Sequence, residues 1–464
     1  MALRRNKEKL ILTVIITVSS VLAVFCIKNG HSWGDDFSLY IAQAKSIINF
    51  SINDLYRLNK YSMQNSLYDI GPYLYPNGFP LLLSPVYYLF GLNFIVMKGF
   101  CSIFLILSIP LIYRLFKPYF SNSFYVFFII AGYAFHNEFI TFSDNILSDL
   151  PFFFFSILTL LLMKKSSTIL NQITLGICIC FSYFIRDIGI VLIPTLITYQ
   201  MGLFISKKIE IKNRIYYTIP YLIFITFFIS ILFFLPRGGE NHITMLLTFF
   251  SIALIKANII YYLNLVSSYF FTTFLFFLPA LIIIIIGMLS TWKQNLHFIT
   301  YTFFICIVLT AWPALQGTRF IFPIIPFILF FLLKGAIYIF DKFRINLKYL
   351  VIILIMFLLR TSFYSTKQII NYSKSDTNQS YNSEMVEIYN YISKNVPEKE
   401  IIGFFKPRAL RLFTGRNAIF TDQQNYEKSN AKYLLIEKYQ YDKIIAGYKK
   451  VYETPNYLLI TKDL

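Results

Sequence analysis

The sequence predicts a polytopic α-helical membrane protein, with about 11–13 transmembrane helices and a small α/β domain held outside the membrane at its C-terminal end. Three observations lead there. Of 464 residues, 57% are hydrophobic and 19% aromatic, only 14% are charged, and mean hydropathy is +0.60. Soluble chains carry about 25% charged residues. Apolar runs of about 20 residues, the length that crosses a bilayer core, recur as far as residue 363. Beyond that point the pattern turns polar and strand-like.

The first run, Leu10 to Ile27, follows Arg4-Arg5-Asn6-Lys7-Glu8-Lys9. No small-residue cleavage site closes it, so it reads as a retained helix rather than a signal peptide. Further runs fall at 94–116, 121–140, 146–163, 168–184, 188–205, 215–235, 264–289, 297–315, 320–340 and 348–363. A shorter apolar piece at 79–92 ends at Gly91 and reads as a re-entrant or half-length helix. Short basic loops carry Arg4/Arg5/Lys7/Lys9, Arg114/Lys117, Lys164/Lys165, Lys207/Lys208/Lys212/Arg214, Lys293 and Lys342/Arg344/Lys348. One crossing per run places them all on one side, the cytoplasmic side by the positive-inside rule. The N-terminus is then expected in the cytoplasm and, after about eleven crossings, the C-terminus outside.

The external face gathers the long loop 28–78, the segment from Asp144 to Asp149, Arg186-Asp187, the loop 236–263, Gln316 to Arg319, and everything after 364. Residues 364–380, rich in Ser, Asn and Lys, read as a linker. Helical periodicity follows at 383–396 (Met385, Ile388, Tyr389, Ile392, Val396), closed by Pro397. Strand-like runs at 401–405, 418–421, 432–437 and 456–461 accompany a helix at 407–413. The expected domains are a membrane domain, 1–363, that includes the external loop 28–78, and an extracytoplasmic α/β domain, 381–464.

Net charge is +19, which raises nucleic acid as a partner. The basic residues lie in short loops between spans, so a topology signal accounts for them and nucleic acid is set aside. Cys26, Cys101, Cys178, Cys180 and Cys306 lie in or beside apolar runs without a CxxC pair, as small core residues do. The histidines show no ligand spacing. With no Walker loop, no GxGxxG after a strand, no HExxH and no serine-nucleophile motif, a nucleotide is not expected as the direct energy source.

Reactive groups concentrate on the external face. Asp35 and Asp36, in Trp33-Gly34-Asp35-Asp36-Phe37-Ser38-Leu39-Tyr40, follow the first span. Such a pair can act as a general base toward an acceptor, hold a divalent metal against a phosphate, or cap a helix beginning at Phe37. Burial and a like-charged neighbour each raise a carboxylate's pKa. Residues 37–49 mix Leu39, Ile41, Ala42, Ile47 and Ile48 with Gln43, Lys45 and Asn49, the pattern of an interfacial helix. The stiff loop Gly71-Pro72-Tyr73-Leu74-Tyr75-Pro76-Asn77-Gly78-Phe79-Pro80 is either a structural turn or a rim where Tyr75 or Asn77 meets substrate. Asp149 opens a span, as a cap or as a second acid facing Asp35. Arg319 and Arg186, at span ends, suit a lipid phosphate; the alternative is a solvated charge or a local ion pair with Asp187.

Several segments, taken together and in order, resemble the GT-C superfamily of integral membrane glycosyltransferases. They are Asp35-Asp36 followed by Tyr40 and Ala44; Tyr75-Pro76-Asn77-Gly78-Phe79-Pro80-Leu81-Leu82-Leu83 ahead of Phe90-Gly91; and Ser148-Asp149-Leu150-Pro151. Arg319-Phe320-Ile321-Phe322-Pro323-Ile324-Ile325-Pro326, Lys406-Pro407-Arg408 and Thr414-Gly415-Arg416 complete the set. Within the superfamily the chain is most similar to relatives of protein O-mannosyltransferases and lipid A aminoarabinose transferases, the glycosyltransferase 39/83 types.

The resemblance implies a GT-C fold and a polyprenyl-phosphate-linked sugar as donor, transferred with inversion to a lipid, glycan or protein acceptor. It maps the catalytic acid onto Asp35, with Asp36 and Asp149 beside it. The donor phosphate falls to Arg319 and Arg186, and substrate contacts to Tyr40, Tyr75 and Asn77. A divalent metal, if the reaction uses one, would sit at Asp35 and Asp36. Family members often have Asp-Glu at the acid pair, so Asp36 departs conservatively. Many also have a second proline after Pro76, where Asn77 stands here. The expected location is a bacterial cytoplasmic membrane. The competing class is a transporter or flippase of lipid-linked saccharides, which would place ionisable residues mid-span and show related halves. Here the charges lie at span ends.

Overall fold

The computed structural model describes residues 2–68, 71–165, 168–206, 211–236, 251–270, 272–376, 378–421, 429–439 and 447–462. Lys207, Lys208, much of the loop 236–263 and the side chains of Arg4, Arg5, Lys212 and Arg214 lie outside the described residues. Among the described residues seven helices are long and apolar enough to cross a membrane, and four shorter apolar helices accompany them. Aromatic contacts fill the core between them, with Phe116 stacked on Phe330 at 5.0 Å, Tyr133 on Phe153 at 5.0 Å and Phe139 on Phe322 at 4.1 Å. Gly287 and Gly335 let two helices, Phe274–Ala311 and Ile325–Lys342, meet backbone to backbone. A Cβ added to either would lie 1.9 Å from the facing carbonyl oxygen.

Several expected boundaries move, each for a local reason. The run at 121–140 splits into helices Ser123–Ala134 and Asn137–Phe142, because the His136 ring accepts the Glu138 N–H at 3.2 Å and starts a second helix. Ser251 caps helix Ile252–Tyr269, which therefore begins inside the expected external loop 236–263. The two runs expected either side of Lys293 are two helices within Phe274–Ala311, which meet at a kink where Asn295 (φ −123°, ψ 24°) leaves helical geometry. The short piece 79–92 is helix Gly78–Phe90, ended by Gly91 at φ 60°. The stretch 364–380 is not a free linker throughout. Helix Leu347–Lys374 continues to its end through residues that include no glycine or proline. The five cysteines are unbridged, four of them buried.

The loop 28–78, expected outside the membrane, folds into helices Asp35–Ile48 and Ile52–Gln64. The first is not an interfacial helix. Its Phe37, Tyr40, Ile41 and Ala44 pack with Phe79, Leu83, Phe94 and, from the C-terminal domain, Ala409, so the apolar face meets protein rather than lipid.

That C-terminal domain opens with helix Ser383–Asn395 and carries strands β1 (Ile401–Phe404), β2 (Asn417–Phe420), β3 (Tyr433–Glu437), β4 (Tyr448–Glu453) and β5 (Tyr457–Lys462) in the order β2-β1-β3-β5-β4. The β2, β1 and β3 strands are parallel, and β5 and β4 add antiparallel. The sequence pattern misses β4 because Lys449 and Lys450 interrupt its alternation, as lysines do on edge strands. Between β1 and β2 runs helix Pro407–Thr414, so the turn at Lys406 leaves the carboxyl end of a parallel strand, where α/β sheets place their ligands.

Domain and loop are stitched together. Ser62 donates to Ala418 O at 2.5 Å, Phe420 N donates to Ser66 Oγ at 2.8 Å, and Leu67 N donates to Phe420 O at 3.3 Å. Trp33 packs on Phe404 and Phe405 at 5.5 and 5.0 Å. Ser380 donates through its backbone N–H and its hydroxyl to His31 O.

Candidate functional site

Gly34 is the N-cap of helix Asp35–Ile48, so both acids lie in its first turn, where the helix dipole favours negative charge. Neither is the N-cap residue of a helix starting at Phe37. Asp36 is fully engaged by side chains: the Tyr75 hydroxyl donates to its Oδ1 at 2.6 Å and Arg319 Nη1 to its Oδ2 at 3.2 Å. Arg319 is fixed in turn by Gln316, at 2.6 Å. Asp35, by contrast, has a buried Oδ1 with no hydrogen-bond partner among the described residues.

The two neighbours titrate in opposite directions. Burial pushes the Asp35 carboxyl above the usual carboxylate range, against the pull of Arg408 and then Lys406, and with a further push from Asp36. Burial acts on Asp36 too, but Arg319, the Tyr75 hydroxyl and Arg408 outweigh it and hold that carboxyl below the usual range. Adjacent acids pushed apart in this way divide into a fixed charge and a proton acceptor.

Both acids line a cavity of about 450 Å³, together with Arg319, Lys406, Phe405 and Phe420. His31 also lines it, but burial, then the Lys98 charge, holds its ring down at about 3, so it stays neutral. The ring stacks on Phe37 at 4.0 Å.

The stiff loop is built around Gln43, which donates to Tyr75 O and to Asn77 Oδ1, each at 2.8 Å, and accepts the Tyr75 N–H at 3.0 Å. Tyr75 stacks on Tyr40 at 4.8 Å, and the Tyr40 hydroxyl bonds Ser148 Oγ at 2.9 Å. Asn77 is buried, with its amide oxygen already occupied. Gly78 seats the loop on the end of helix Ile169–Ile185, since a Cβ there would meet the Phe184 backbone at 2.5 Å.

The next residue along that helix, Arg186, pairs with Asp149 and not with Asp187. Its guanidinium lies 4.9 Å from the Phe320 ring, and that of Arg319 lies 5.5 Å from the same ring. Of the residues singled out by sequence, Asp35, Asp36 and Arg319 therefore share the cavity. Tyr40, Tyr75 and Asn77 form its supporting wall. Asp149 and Arg186 form an ion pair that shares the Phe320 ring with Arg319, and the Asp149 charge bears on Arg319 as well.

Sequence reasoning gave no role to the cations from the C-terminal domain. Arg408 is buried; its Nη2 donates to Pro72 O at 2.6 Å, and its guanidinium stands 5.9 Å from the Tyr75 ring. Arg411 donates to Asn59, on helix Ile52–Gln64. The signal was present as three cations on one short helix and its N-cap, Lys406, Arg408 and Arg411, but nothing in the sequence identifies what they face.

Beneath the site lies a second buried ion pair, Lys98 with Asp144 at 2.7 Å. Asp144 also accepts the Lys28 N–H at 2.7 Å and the Tyr372 hydroxyl at 3.0 Å. That knot ties the end of the first span to helices Phe94–Phe116 and Leu347–Lys374.

Among the described residues no three His, Cys, Asp or Glu side chains gather as metal ligands. The donor set does not suit a divalent ion either: both Asp36 oxygens are engaged, and the cations Arg408 and Lys406 bear on Asp35.

No protein-family model matches the sequence, and no curated protein matches it. The fold does have solved relatives. ArnT from Cupriavidus metallidurans, bound to undecaprenyl phosphate, superimposes with a TM-score of 0.57 at 10% identity, over 97% of each chain. The archaeal oligosaccharyltransferase AglB from Archaeoglobus fulgidus, with an inhibitory peptide and a dolichol-phosphate, gives 0.55 at 11% identity, over 93% of this chain and 70% of AglB. A second AglB structure, in complex with Zn and sulfate, gives 0.58 at 10% identity, over 91% and 68%. The chain has the fold of GT-C membrane enzymes.

Proposed function

We propose that this GT-C-fold protein is a membrane glycosyltransferase, moving a sugar from a polyprenyl-phosphate donor to an acceptor hydroxyl on the external face of a bacterial cytoplasmic membrane. Asp35 is the general base. Its raised pKa and free oxygen suit it to take the hydroxyl proton as the acceptor oxygen bonds the anomeric carbon. The bond from that carbon to the phosphate oxygen breaks, and its electron pair leaves with the phosphate. Attack opposite the leaving group inverts the anomeric centre.

Arg319, at the start of an apolar span and open to the cavity, binds the departing phosphate. Asp36 and Tyr75 hold Arg319 and the rim in register, with Tyr40 and Asn77 as positioning residues behind them. The Asp149–Arg186 pair braces Arg319 through Phe320.

The observation that carries this reading is the pair of neighbouring carboxylates titrating apart in one cavity with an arginine at the membrane boundary. Lipid phosphates bound to ArnT and AglB support the donor class. A lipid phosphate leaving group also supplies the driving force without a nucleotide. The test is lipid extraction from cells with and without the gene. Loss of the gene should accumulate one polyprenyl-phosphate sugar and remove one envelope glycan modification; an unchanged pool of lipid-linked sugars would oppose the reading.

A further inference from the structure

The cavity holds two cations in different surroundings. Arg319, at the start of an apolar span, is already bonded to Asp36 and Gln316. Lys406 enters the lining from the turn after β1, together with Phe405 and Phe420. Among the described residues its ammonium makes no hydrogen bond or ion pair, whereas Arg319 and Asp36, in the same lining, are paired with each other. An unpartnered ammonium in a concave site that two aromatic side chains also line is arranged to receive an oxyanion on a sugar-sized group.

Displacement with inversion fixes which substrate that is. The acceptor and the leaving phosphate lie on opposite faces of the anomeric carbon, so the base marks the acceptor side. Lys406 leads into helix Pro407–Thr414, whose Ala409 packs with Phe37 of the helix that begins at Asp35, and its charge bears on that carboxyl after that of Arg408; Arg319 instead bonds Asp36 directly at 3.2 Å. We propose that Lys406, with Phe405 and Phe420, forms an anion subsite on the acceptor side of the cavity, and that the acceptor is a glycan or lipid bearing a carboxylate or phosphate near the hydroxyl that is glycosylated. This rests on the glycosyltransferase reading and adds the acceptor class. It also makes the C-terminal domain part of the active site.

The test uses the full chain in lipid nanodiscs, with Trp33, which packs on Phe405, as an intrinsic fluorescent reporter. Undecaprenyl phosphate, glucuronate, glycerol phosphate and glucose are titrated against wild type, Lys406→Met, Lys406→Arg and Arg319→Gln. Wild type should bind glucuronate or glycerol phosphate in preference to glucose. Lys406→Met should weaken that binding about tenfold, the loss expected for one hydrogen bond to a charged group, and Lys406→Arg should largely restore it. Arg319→Gln should keep the anion binding and lose undecaprenyl phosphate, while Lys406→Met does the reverse.

Equal binding of glucuronate, glycerol phosphate and glucose overturns the anion subsite. Loss of undecaprenyl phosphate in Lys406→Met to the extent seen in Arg319→Gln also overturns it, by moving Lys406 to the leaving-group side. Failure of wild type to bind undecaprenyl phosphate overturns the glycosyltransferase reading itself.

Discussion

Replacing Arg408 with methionine should move the acid limb of the pH–rate profile to higher pH. Arg408 is 3% exposed and lies outside the cavity lining, so it acts on the site through its neighbours. Its 2.6 Å bond to Pro72 O and its position 5.9 Å from the Tyr75 ring press the stiff loop against the acid pair. A hydrogen bond from a charged donor contributes about 1.5–3 kcal/mol, and a cation–π contact near its outer limit adds toward the low end of its range, so the loop loses about 2–4 kcal/mol of holding energy.

The electrostatic effect is separate and has a definite sign. Burial raises the Asp35 pKa, and Arg408 is the foremost charge opposing that rise. Without Arg408 the pKa rises further. A general base works only as the carboxylate, so its contribution is lost as pH falls through the folded-state pKa, and that loss now begins at higher pH. The assay is transfer from the polyprenyl-phosphate sugar that accumulates in deletion cells, measured across pH in membranes with matched protein levels. Loop displacement alone would lower the plateau and leave the limb in place. Arg408→Lys, which keeps the charge, should return the limb toward wild type. A limb at the wild-type pH in Arg408→Met would refute the assignment of Asp35 as a base tuned by the C-terminal domain.

Other perturbations separate scaffold from chemistry. Tyr75→Phe removes the hydroxyl that holds Asp36 and should slow transfer about tenfold, from one charge-assisted hydrogen bond, with thermal stability nearly unchanged. Lys98→Met strands a buried Asp144 that keeps only the Lys28 N–H and Tyr372 hydroxyl. The expected destabilisation is about 3 kcal/mol, at the low end for breaking a buried pair, read as a lower melting temperature in detergent. Gly78→Ala forces a methyl into the Phe184 and Ile185 backbones and should displace the loop, reducing transfer while the C-terminal domain stays folded by limited proteolysis.

The acid pair, the arginine at the span end and the strand pattern of the C-terminal domain were legible because each has a local signature: a charge at the edge of an apolar run, or an alternation of period two. The span breaks at His136 and Ser251 were not, since a single capping side chain decides them inside otherwise apolar sequence. Arg186 was readable as a candidate but its partner was not. Asp187 is adjacent in sequence, whereas Asp149 comes from another helix. Lys406 and Arg408 belong to a turn and helix that face the acids only because the C-terminal domain docks on the loop 28–78 through Ser62, Ser66 and Arg411. Contacts between residues more than 300 positions apart leave no trace in periodicity. The Lys98–Asp144 pair was hidden in the same way, since its two residues come from different helical segments 46 positions apart.

The central claim is that Asp35 takes the acceptor proton. Its most direct test is mass spectrometry of polyprenyl-phosphate sugars and envelope glycans from cells carrying wild type or Asp35→Asn, at equal levels in the membrane. Removing a general base should slow transfer by about 10²–10⁴-fold. The variant should therefore accumulate the same lipid-linked sugar as the deletion and lose the same glycan modification. A variant indistinguishable from wild type, where the deletion differs, would contradict the account and leave Asp35 as a residue that only stabilises the first turn of its helix.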